Sequence, residues 1–339
     1  MPKERSNGFF TSTTGQQCLL IGGSNREIAF NDVWLLSPKE TKWLRINQSE
    51  TITKEITPRA GMAGISYKTT NEIIMYLHGG QNYFSQSIYG DMYEIHIPFP
   101  FESITSTSLI SIVNHTIYPI NITNTPCQRN SHCMCYDSKN NNLYMFGGAS
   151  SESLLNDLWS FNTDSKTYTK LAVSDLSTLI EPRELFGMSY NSQLNQLVVI
   201  GGHTYDKFDP YAYIIDLNSK TCKRGSKMPC GIGAFAYCDI EYKEKKYVLI
   251  YGGTNGEQFF NRFIAYDIAN DKFIGCKLII NKMLVNNDPQ LQVFLGRISA
   301  MMTMDDNKEN VILYGGSAPD KEWSYTNVIP IEDIINNFI

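Results

Sequence analysis

The groups in this chain that could do chemistry are five histidines, eight cysteines and a set of arginines and aspartates that recur at regular spacing. A metal centre needs imidazoles or thiolates converging on one ion, and local sites show as CxxC, HxH or HxxxH pairs. None of these spacings occurs. His78, His96, His115, His132 and His203 are scattered, and Cys133 and Cys135 stand two apart, which on a strand places both on one face. The histidines read as packing or loop groups and the two cysteines as small buried residues. No nucleophile elbow, phosphate loop or dinucleotide fingerprint is present. No catalytic residue, cofactor or metal is therefore expected.

Arginine offers a different chemistry: a planar fork of donors that grips carboxylates or phosphates, whether these belong to a ligand or to the chain itself. Arg5, Arg59, Arg129, Arg183 and Arg297 each precede a glycine pair by 17 to 20 residues. Asp32, Asp91 and Asp157 follow the first glycine of a pair by 10 to 12 residues.

What must position these groups is a repeat. Glycine pairs begin at Gly22, Gly79, Gly147, Gly201, Gly252 and Gly315, a mean spacing of about 59 residues. Each follows a short apolar run, such as CLLI, LVVI or VILY, of the kind that forms a buried strand. Upstream of that run a polar turn, as in YDSKNNN or YNSQLNQ, joins it to another strand in an antiparallel hairpin. Downstream, segments such as NDVWLL, GDMYEI and NDLWSF read as a third strand. Large side chains 11 residues further on, Trp43, Tyr168 and Phe273, mark a fourth.

The glycine pair after an apolar strand, the upstream arginine and the spaced aromatics resemble the kelch repeat over nearly the whole chain. The resemblance implies an all-β, six-bladed propeller of four-stranded blades, because one such sheet cannot bury both faces alone and a ring of them can. The expected blades are 1–50, 51–122, 123–175, 176–226, 227–280 and 290–339. Residues 98–112 read as an insertion, with the fourth strand of blade 2 near 113–122, and a second extension spans about 280–293. Blade 5 has GIGAFAY where the others have arginine. Blade 6 ends before a fourth strand fits. It is expected to be three-stranded with a short terminal helix or edge cover, and its open edge is a place where a second copy could add a strand.

The resemblance also bears on chemistry. Galactose oxidase shares this architecture and binds copper through two histidines and two tyrosines, a set that the scattered histidines here do not support. The repeat aspartates look structural, receiving turn amides. In kelch adaptors of ubiquitin ligases, arginines around the central pocket recognise acidic peptides. By that resemblance Arg59, Arg129, Arg183 and Arg297 form a possible anion or peptide pocket.

The net charge is −5, without runs of like sign, which argues against nucleic acid and against a polybasic membrane contact. No apolar run is long enough to span a bilayer. The start MPKERSNGFF lacks the apolar stretch of a secretory leader, so a cytoplasmic location and reduced cysteines are expected. The loops after the glycine pairs carry aromatics that a solvated loop has little use for, and aromatics dominate binding hot spots. Tyr83, Phe84, Tyr205, Phe208, Phe259, Phe260 and Trp323 are the expected partner-binding residues. The leading expectation is a non-enzymatic scaffold that binds a protein partner, as a subunit of a larger cytoskeletal or ciliary assembly. The alternatives are an enzyme or small-ligand propeller using the central pocket, and a ubiquitin-ligase adaptor.

Overall fold

The computed structural model describes residues 1–13, 17–46, 56–98, 114–118, 124–275, 284–285 and 296–338. They form six antiparallel four-stranded sheets, the blades of a propeller ring. Blade 1 runs Phe9–Ser12, Cys18–Ile21, Val33–Ser37 and Lys42–Ile46, as strands A to D from the centre outwards. Blade 3 repeats the order with Cys133–Asp137, Asn142–Phe146, Leu158–Asn162 and Thr167–Lys170. In blade 2 the outer strand is Asn114–Tyr118, paired with Met92–Pro98, while the insertion placed at 98–112 falls almost wholly outside the described residues. No helix among the described residues is long and apolar enough to cross a membrane.

The continuous apolar B strands follow from burial on both faces. Successive side chains point to opposite sides, so Leu19 and Ile21 enter a core shared with blade 2, while Cys18 and Leu20 enter one shared with blade 6. Six apolar clusters result, one between each pair of neighbours. Each fully buried Leu or Ile contributes about 1.5–3 kcal/mol relative to exposure. The blades are thus held chiefly by their contacts with one another.

At one end of the central channel the six blades are also joined by backbone. Asn7, Gly61, Ser131, Leu185, Ala234 and Ser299 all adopt left-handed φ values between 53° and 67°. Each donates its N–H to the carbonyl of the equivalent residue in the preceding blade, at 2.6–3.1 Å, and Asn7 closes the circle onto Ser299. Five of the six are not glycine, so the circle accepts an unfavourable backbone region to satisfy buried polar groups.

Blade 6 departs from expectation. Its outer strand is Leu284–Val285, which pairs antiparallel with Val328 and Asn327. The strand comes from the extension before the blade, not from the residues after it, so counting forward from Asn327 could not find it. The blade is four-stranded, and the edge proposed for self-association is occupied at those positions. The tail does form a helix, Ile331–Ile335, which packs Ile331 and Ile334 into the cluster between blades 5 and 6.

The glycine pairs are required by close approach. Gly79 has φ +65°, and a Cβ there would stand 2.3 Å from the carbonyl oxygen of Arg129. Gly79→Ala is expected to destabilise the fold by about 2 kcal/mol or more, read from the urea midpoint. A midpoint equal to the wild type would show that the approach is not needed.

Candidate functional site

The A strands of all six blades line a central channel of about 700 Å³. Its wall carries Cys133, Cys135, Tyr237 and Asp239. Asp239 is exposed to the channel, and desolvation by the surrounding channel walls pushes its carboxyl up to about 6. Among the described residues no group of three or more His, Cys, Asp or Glu side chains is placed to hold a metal ion.

The repeat arginines sit behind this wall, not in it. Arg5, Arg59, Arg129 and Arg183 are at most 1% exposed and Arg297 is 4% exposed. Arg129 shows the pattern: Nη1 donates to the Gly147 carbonyl at 3.0 Å, Nη1 and Nη2 grip the Asp157 carboxylate at 2.7 and 2.9 Å, and Nε donates to the Cys127 carbonyl at 3.1 Å. Arg5 with Asp32 and Arg59 with Asp91 repeat it. The aromatic two residues after each aspartate completes the set: Trp34, Tyr93 and Trp159 donate to Asp32, Asp91 and Asp157 at 2.6–2.7 Å. Burial alone would raise the carboxyls of Asp91 and Asp157, but hydrogen bonds and charge from Arg59 and Arg129 outweigh it and hold both below their ordinary value. The arginine backbone then binds the blade before: Gly80 N donates to Arg129 O at 2.9 Å, and Gly316 N to Arg5 O at 2.9 Å, which closes the ring. Arg59, Arg129 and Arg183 are therefore enclosed and neutralised, not poised to receive a peptide as the resemblance implied.

The loop aromatics divide in two. Phe30, Leu155, Asp209, Phe260 and Trp323 each stand seven residues after the second glycine of a pair. Four of them, all but Asp209, give their carbonyl to the N–H of the next blade's arginine, at 3.0–3.3 Å. Tyr89 does the same in blade 2, where the loop is two residues longer. The rings of Phe30 and Tyr89 cover their own blade's guanidinium at 3.9 and 3.8 Å. Phe260 and Trp323 are accordingly buried, at 8% and 3%, and are wall residues instead of the surface contacts expected of them. The constant spacing of seven was the signal for this. Phe208 and Phe259 are half-buried. Tyr83 and Phe84, both 52% exposed, and Tyr205, 61% exposed, stand in solvent. The first two form the tip of an extra hairpin, in which Gln81 and Asn82 pair with Ile88 and Ser87.

One pairing had no sequence signal. His78, before the blade 2 glycines, meets His132 of blade 3 with Nδ1 and Nε2 3.0 Å apart, both rings being buried. Burial, reinforced by Arg129, pulls His78 down to about 3 and His132 well below its ordinary value. Both stay neutral in the fold, whereas free imidazoles take up protons below about pH 6.5. Stability is thus complete above that pH and lost as pH falls toward the folded value, by up to about 1.4 kcal/mol per histidine per pH unit. The urea midpoint is expected to drop from pH 7 to pH 5, and His78→Gln to flatten that slope. An unchanged slope in the variant would contradict the assignment.

A family model described as the KLHDC2/KLHL20/DRC7 Kelch-repeats domain matches residues 104–283, just over half of the chain. No curated protein matches it. With six four-stranded blades, each carrying a glycine pair after its second strand, the chain belongs to this kelch-repeat propeller family.

Proposed function

We propose that this protein is a non-enzymatic scaffold that binds a protein partner through the B–C loop face over blades 2 to 4. One observation carries the reading. The exposed large apolar side chains among the described residues are Met1, Ile28, Tyr83, Phe84, Leu194 and Tyr205, and four of these six lie in B–C loops. Loops on a rigid ring are suited to recognition, and solvent-facing aromatics bury much area at modest entropy cost when a partner covers them. The Tyr83–Phe84 tip sits on a hairpin that the repeat does not require. Tyr205 is steadied from the neighbouring blade, its hydroxyl accepting from Leu154 N at 3.1 Å. The ring of staples beneath is rigid, so little ordering is needed on binding.

The test is affinity purification from native cells with Tyr83→Ala, Phe84→Ala and Tyr205→Ala combined, against Leu194→Ala as a control in an A–B turn. The triple variant is expected to keep its melting temperature and to lose at least about tenfold in partner capture. Capture equal to the wild type would overturn the assignment of this face.

A further inference from the structure

The loop face over blades 2 to 4 carries a definite charge once its internal ion pairs are set aside. The B–C loops at 81–90, 149–156 and 203–210, with the blade 4 entry at 181–184, hold five carboxylates and two cations. Arg183 is taken by Asp209 at 2.8 Å, and Lys207 by Glu181 at 2.7 Å. Glu152, Glu184 and Asp206 remain, and none of the three meets a lysine or arginine among the described residues within ion-pair distance. Glu184 stands 3.7 Å from the imidazole of His203. On the outer strands of blades 3 and 4, Lys170, Arg224 and Lys227 lie against the rings of Trp159 and Tyr211 at 4.8–5.8 Å.

The three carboxylates are interleaved with the exposed aromatics. Asp206 directly follows Tyr205, and the Tyr205 hydroxyl is bonded to the N–H of Leu154, two residues beyond Glu152. Tyr83 and Glu184 belong to blades 2 and 4, yet they act on one another. Partial desolvation raises the Tyr83 pKa above its ordinary value, and the Glu184 carboxylate adds to the rise. Glu152 and Asp206 are exposed, and Glu184 is half-buried. Ring faces and carboxylates attract the same kind of group, a cation. An acidic segment would meet like charge on this face and be repelled.

We propose that the partner presents a basic segment to this face, with lysine or arginine set beside apolar side chains. A cation is received between Glu184 and the ring of Tyr83, flanked by Glu152 and Asp206, while Phe84 and Tyr205 cover the apolar side chains. The proposal rests on the reading of this face as the partner site, and it adds the chemistry of what binds there.

The test is fluorescence anisotropy of the full chain with labelled peptides that share one leucine and glycine frame and carry Lys, Arg, Gln or Glu at the same positions. The basic peptides are expected to bind at least about tenfold more tightly than the Gln peptide, and less tightly as salt is raised. A stronger response to Arg assigns bidentate recognition of a guanidinium, and an equal response to Lys assigns charge alone. Glu152→Gln, Glu184→Gln and Asp206→Asn combined are expected to remove the preference. Glu40→Gln, Asp164→Asn and Glu244→Gln combined, in turns of the opposite face, change net charge equally and are expected to leave it. No preference for the basic peptides, or one that survives the first triple variant, would overturn the proposal. Native capture separates it from the reading beneath it. Capture lost with the three aromatics but kept without the three carboxylates leaves the face standing without a basic partner, and capture kept by both variants removes both.

Discussion

The structure depends on a buried guanidinium shared between blades. Each repeat arginine is held by its own blade, through the carbonyl of the first glycine and, in four blades, a carboxylate. Its backbone carbonyl receives the second glycine's N–H from the blade before. A charge buried this deeply is tolerable only with near-complete pairing, and the pairing defines where each blade must stand relative to the last. The left-handed glycines are a consequence, since a side chain at Gly79 or Gly315 would collide with the arginine carbonyl of the next blade. The apolar clusters supply most of the cohesion, but they are similar from blade to blade and do not by themselves dictate register.

This division of labour shapes the functional reading. Residues that recur in register are consumed by the staple: the arginines, the aspartates, the aromatic that donates to each aspartate, and the loop residue, Phe30, Tyr89, Leu155, Phe260 or Trp323, whose carbonyl receives the next arginine's N–H. What the repeat leaves over is irregular. It includes the hairpin carrying Tyr83 and Phe84, the exposed Tyr205, the His78–His132 contact, and Arg297 of blade 6, which meets Asn327 where the others meet an aspartate. The proposed partner face is built from the exposed departures, Tyr83, Phe84 and Tyr205, and not from the pattern itself.

Much of the architecture was legible because the constraint is local in sequence. A glycine pair behind an apolar run marks strand B, and the polar turn and the following aspartate mark strands A and C. Burial of Phe260 and Trp323 was also encoded, in their constant distance from the glycines, but composition alone made them look like contact residues. The outer strand of blade 6 was hidden for a different reason. Two residues, Leu284 and Val285, carry no periodicity, and they precede the blade they complete. The His78–His132 contact joins groups 54 residues apart in neighbouring blades, and no local pattern announces such a pair.

The central claim is that the arginine–aspartate staple, and not the apolar contact alone, holds neighbouring blades in register. Equilibrium urea unfolding of Asp157→Ala tests it most directly, with Asp239→Ala, a channel carboxylate outside any staple, as the reference. The account predicts a loss of about 3–5 kcal/mol for Asp157→Ala, because Arg129 is left buried and unpaired, and about 1 kcal/mol or less for Asp239→Ala. An Asp157→Ala protein as stable as the reference variant would contradict it.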